Sequence, residues 1–121
     1  MARTYWISFS ISQSGARDRR YQALLAAVRG ATSDIWWTES TDFLMFHSDQ
    51  GIYQIAGEVA ASIDAATDLA LLSTLDGAEA LAIGAVEDPT LFVLMPEAMR
   101  YDPEKAASPS AGLSERQSPT G

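Results

Sequence analysis

The chain has 121 residues, no cysteine and a formal net charge of −8 from 8 basic and 16 acidic side chains. That length is one domain's worth of core, and the missing thiols exclude disulfides, thiolate catalysis and thiolate metal sites. The acidic balance opposes phosphate backbones, and no apolar run approaches the roughly 20 residues of a membrane span.

Residues 4–11 alternate strictly. Tyr5, Ile7, Phe9 and Ile11 share one face, and Thr4, Trp6, Ser8 and Ser10 share the other. Period two with aromatic and β-branched residues predicts a strand with one buried face. The interrupted apolar pattern of Met1–Phe9, with no small-residue cleavage site after it, is not that of a signal peptide. A cytoplasmic location is expected. Ser12-Gln13-Ser14-Gly15 reads as a loop.

Over 16–30 the period changes. Tyr21, Leu24, Leu25 and Val28 fall at i, i+3, i+4, i+7, the apolar stripe of a helix, and Gly30 is its expected stop. Arg17, Arg19, Arg20 and Arg29 cluster here and read as its solvated face.

The segments 34–38 and 43–48 are strand-like and rich in aromatics. Glu39-Ser40-Thr41-Asp42 between them is short and polar, which predicts a hairpin. Trp36 and Trp37 are adjacent, so they point to opposite faces of a strand. One is expected under the helices and the other on the open face.

Ser48-Asp49-Gln50-Gly51 predicts a helix start. The stripe Ile52, Ile55, Ala56, Val59 and Ile63 carries that helix to about residue 63. Asp68–Leu75 predicts a fourth strand, ended by Asp76-Gly77. Ala78–Ala85 is read as a short helix or turn. Thr90–Met95 is read as a short strand closed by Pro96. From about residue 102 the proline, serine, alanine and glycine content predicts a disordered tail. The expected organisation is a domain over 1–101 and a tail over 102–121.

Strand, helix, strand, strand, helix, strand is the split βαβ order. It predicts an α+β, ferredoxin-like fold. A four-stranded antiparallel sheet in the order four, one, three, two carries both helices on one face. The bare face is expected to carry an interface, formed by Trp6, Trp36, Trp37 and Phe46, and to pair two copies in a homodimer. A further protein partner fits the same surface.

"TYWISFSI" at Thr4–Ile11, "DIWWTESTDFLMF" at Asp34–Phe46 and "DLALLSTLDG" at Asp68–Gly77, with helices between them, resemble the SinR-like bacterial family. That resemblance spans residues 4 to about 77. The family is similar in fold to the small metal-dependent nuclease subunit of CRISPR adaptation and to the antitoxin endoribonuclease GhoS. The resemblance therefore implies either an antitoxin-like regulatory module or a nuclease. The acidic residue that such nucleases carry at the end of the first strand falls on Ser10 here. A neutral hydroxyl is a poor Mg²⁺ ligand.

If the first and third strands run parallel, their ends bring Ser10 to His47, Ser48 and Asp49, and place Asp34 and Asp68 at the same sheet edge. Ser10, His47, Asp34, Asp68 and Asp76 are thus the candidate catalytic residues, with turn and cap roles as the simpler explanation of the aspartates. No phosphate loop, zinc motif or Ca²⁺ loop occurs. No metal or cofactor is expected, Mg²⁺ entering only with a nuclease. A non-catalytic interaction module is the leading expectation. A metal-dependent endoribonuclease using Asp34, Asp68 or Asp76 is the alternative.

Overall fold

The computed structural model describes residues 2–104, and the expected tail from residue 105 onward lies outside them. The elements are β1 (Arg3–Ser10), α1 (Arg17–Ala31), β2 (Trp36–Trp37), β3 (Phe43–Ser48), α2 (Ile52–Ser62), β4 (Leu69–Thr74), β5 (Ala80–Gly84), α3 (Thr90–Leu94) and β6 (Ala98–Arg100). They form an α+β fold on one sheet, ordered β2-β3-β1-β4-β5-β6. Among the described residues no helix is long and apolar enough to cross a membrane.

β2, β3, β1 and β4 lie side by side with antiparallel neighbours, but the expected four-stranded sheet is not what forms. The sheet does not stop there. β5 pairs antiparallel with β4, and β6 pairs parallel with β5, so the sheet is six-stranded and mixed. Two local readings are corrected. Ala78–Ala85 holds a strand, because Ala80–Ile83 is buried on both faces and its neighbour β4 supplies the hydrogen bonds. Thr90–Leu94 is a short helix. It is introduced by Asp88-Pro89, where the Asp88 carboxylate accepts the Thr90 N–H at 3.0 Å and the Pro89 carbonyl accepts the Phe92 N–H. α1 also continues through Gly30 and ends at Ala31, where the Thr32 N–H and hydroxyl both donate to the Val28 carbonyl.

Tyr5, Ile7 and Phe9 of β1, Leu44 and Phe46 of β3, and Leu72 of β4 pack against Leu24 and Val28 of α1 and Ile55 and Val59 of α2 in one core cluster. Both long helices therefore cover the same sheet face. β5 runs in the direction of β1, but its crossover steps away from the β2 edge, whereas that of β1 steps toward it. A right-handed connection then puts α3 on the second face. Two contacts agree. Arg100 on β6 lies 5.0 Å from the centre of the Phe92 ring of α3. Ala80, Ala82 and Ala98 are buried yet belong to no part of the main core. α3 thus shields the β5–β6 half of the second face, and among the described residues no helix covers the β2-β3-β1 half.

Candidate interaction surface

Strand register places the side chains of the second face in rows. Trp37, Met45, Trp6, Ser73, Ala80 and Ala98 form one row across all six strands. Phe43, Ser8, Leu71, Ala82 and Arg100 form the next. In the bare half the aromatics touch. Trp6 and Phe43 are stacked with ring centres 5.9 Å apart, and Trp37 meets Phe43 edge-on at 6.4 Å. Trp37 is 44% exposed. Beside it a shallow cavity of about 330 Å³ is lined by Thr4, Ile35, Trp36, Trp37, Met45, Phe46 and His47.

The two tryptophans divide as alternation requires. Trp36 packs against the core, with the Arg29 guanidinium 5.5 Å from its ring centre, whereas Trp37 faces outward. Two of the expected interface residues therefore belong elsewhere. Trp36 lies on the helix side, and Phe46 is 2% exposed and stacked on Tyr5 in the core. Trp6 and Trp37 remain on the bare face, and Phe43 and Met45 join them. The alternation of β3 carried that signal. Leu44, Phe46 and Ser48 are its buried positions, which leaves Phe43, Met45 and His47 on the other side. Trp36→Ala is expected to cost about 2 kcal/mol, below a fully buried truncation, and Trp37→Ala less than about 1 kcal/mol. Urea unfolding checks both. Equal losses at the two positions would contradict the division.

The candidate catalytic residues do not converge. β1 and β3 are antiparallel, not parallel, with Arg3 opposite Ser48 and Thr4 opposite His47. Ser10 lies at the far end of β1, opposite Leu69 and roughly 20 Å from Thr4 at about 3.3 Å per residue. β2 starts where β1 starts, and β4 starts where β1 ends. Asp34 therefore shares its sheet end with His47 and Asp76, and Asp68 lies at the other end.

Each aspartate already has hydrogen-bond partners. The Asp34 Oδ1 atom accepts the Ile35 N–H at 2.7 Å and lies 3.0 Å from His47 Nδ1. The Ile35 N–H, and after it His47, holds the Asp34 carboxyl below its ordinary value. An ionised carboxylate only accepts, so the proton of that bond sits on Nδ1 of His47. Asp76 accepts the Ala78 N–H at 2.9 Å and the Thr74 hydroxyl at 2.7 Å, and both lower its pKa. It is a turn residue.

Asp68 is more than a strand-start residue. It is fully buried. Its Oδ1 accepts the Ser12 N–H at 2.8 Å, and its Oδ2 accepts Arg20 Nε at 2.8 Å and the Asp64 N–H at 2.9 Å. Desolvation opposes ionisation, but these N–H donors and the Arg20 charge outweigh it and keep the carboxyl below its ordinary value. The same Arg20 donates to the carbonyls of Ser12, Ser14 and Gly15. The pair ties α1, the Ser12–Gly15 loop and the start of β4 together. Arg20, read from sequence as solvated, is instead the half-buried partner of this carboxylate. Nothing local marks that role, because the two residues are 48 positions apart.

Among the described residues no three His, Asp or Glu side chains stand close enough to hold a metal ion together. Comparison with family models, curated proteins and solved structures finds no match for this chain.

Proposed function

We propose that this chain is a non-catalytic interaction module, of regulatory or antitoxin-like type, that works through the bare half of its second sheet face. One observation carries the reading. Trp6, Phe43 and Trp37 form a continuous aromatic surface that α3 does not cover. Trp37 is exposed and Trp6 and Phe43 are half-buried, and contiguous, partly exposed aromatic area of this kind is a mark of protein interfaces. A homodimer, the form of covering expected from the sequence, would join two such surfaces about a two-fold axis. The SinR-like resemblance and a ferredoxin-like ancestry for β1 through β4 belong to the same proposal, with β5, α3 and β6 as an addition to that unit. So does a cytoplasmic setting.

The endoribonuclease alternative needs carboxylates gathered around a reacting phosphate. Asp34 and Asp76 lie at one end of the sheet and Asp68 at the other, each already bonded. Ser10 adds no charge. The expected result is no cleavage of single- or double-stranded RNA or DNA in Mg²⁺ or Mn²⁺, for wild type and Ser10→Ala alike. Cleavage that EDTA abolishes and Ser10→Ala leaves intact would overturn the non-catalytic reading.

A further inference from the structure

The aromatic surface has a charged border of one sign. Glu39 is held there by the indole N–H of Trp37, which donates to its Oε1 at 3.0 Å. Asp34 is held there through His47, whose side chain lies on the same sheet face as Thr4 and Trp6. Asp42, half-buried, immediately precedes Phe43. Among the described residues the basic side chains lie elsewhere. Of the six described arginines, Arg17, Arg19, Arg20 and Arg29 are on α1, on the opposite side of the sheet. Arg3 is paired with Glu79 at 3.1 Å, and Arg100 is engaged with Phe92 and the Val86 carbonyl beside α3.

Resting on the interaction-module reading, the geometry points to one class of occupant: a basic, apolar segment of another protein, with arginine or lysine side chains laid over Trp37 and Trp6 between the carboxylates. Aromatic faces attract cations through the ring quadrupole, and the attraction grows as the site is desolvated. Asp34 and Glu39 add Coulomb attraction at the rim and steer a basic partner in. A second copy of this chain fits the same border less well. It would bring its own Asp34, Glu39 and Asp42 toward theirs, and like charges in apposition oppose association.

The test is titration of the full chain with three labelled peptides, read by fluorescence anisotropy, with light scattering on the free protein. The peptides alternate leucine with arginine, leucine with glutamate, and serine with arginine. The Leu-Arg peptide is expected to bind tightest and to weaken as salt is raised. Trp37→Ala should weaken it about tenfold, within the range of cation–π and anchor-residue effects. Glu39→Gln should weaken it by about threefold, as for exposed ion pairs. Glu58→Gln, which removes an equal charge from exposed Glu58 on α2, should leave it unchanged. Equal loss from Glu58→Gln and Glu39→Gln would reduce the effect to net charge and overturn the inference. Equal binding of the Leu-Glu peptide, still lost in Trp37→Ala, would overturn the basic partner while keeping the interaction surface. A wild-type dimer that Trp37→Ala dissociates would make a second copy the occupant. No binding by any peptide, with a monomer in both proteins, would overturn both readings.

Discussion

Asp68→Asn is expected to destabilise the fold by about 3–5 kcal/mol, the range for breaking a buried ion pair by removing one partner. The carboxylate is fully buried, and the Arg20 side chain facing it is 15% exposed. An asparagine oxygen can still accept the Ser12 N–H. Its amide nitrogen then takes the place of Oδ2, a donor facing the donors Arg20 Nε and Asp64 N–H. The Arg20 charge is left uncompensated, and its hold on the Ser12–Gly15 loop slackens. Urea denaturation at neutral pH measures the loss. The pH dependence has a definite sign. The folded-state pKa lies below the ordinary value, so this stability is present above the unfolded pKa of about 3.9 and is lost as pH falls through the folded value. The gap between wild type and Asp68→Asn should therefore shrink on acidification below about pH 4. A gap that stays constant to strong acid would show that the ionised carboxylate is not what the substitution removes.

Gly84→Ala is expected to cost about 2–5 kcal/mol, through a different mechanism at the same corner of the sheet. Gly84 has φ of +80°, a left-handed conformation worth about 1–2 kcal/mol against any residue with a Cβ. A methyl there would also lie far inside contact distance of the Asp68 carbonyl oxygen, and 3.3 Å from Ile63 Cδ1. That carbonyl cannot swing aside freely, since it accepts the Ala85 N–H at 2.8 Å. The clash adds an overpacking term of about 1–3 kcal/mol. Gly77 is the internal control. Its φ is +76°, but a Cβ there meets open space, so Gly77→Ala should pay only the conformational part. Thermal or urea unfolding of the two variants side by side separates backbone strain from collision. Equal losses would show that the close approach to Asp68 carries no weight.

The direction of the strands explains why the candidate chemistry dispersed. The residues that sequence reasoning gathered around Ser10 are drawn to separate tasks by an antiparallel sheet. His47 and Asp34 cap one end, and Asp68 anchors the other from the helix side. What remains unassigned to folding is the aromatic half-face, and its border of Asp34, Glu39 and Asp42 gives it a preferred partner sign.

Periodicity by itself determined much of the framework. Alternation over residues 4–11 named Tyr5, Ile7, Phe9 and Ile11 as a buried row, and all four are buried. The i, i+3, i+4, i+7 stripes located α1 and α2, and adjacency split Trp36 from Trp37. These are local properties, legible because side-chain direction follows directly from backbone repeat. Tertiary structure alone decided the rest. Ala80–Gly84 is a strand because β4 pairs with it, not because alanine favours strands. Thr90–Leu94 has the apolar content of a strand, yet it is a helix that bridges two parallel strands and shields half of a sheet face. The direction of β3 against β1 set which polar residues meet, and the Asp68–Arg20 pair spans sequence distances that no local pattern records. Hydrogen-bond pairing and burial are made between segments, so the residues that depend on them became readable only once the segments were in place.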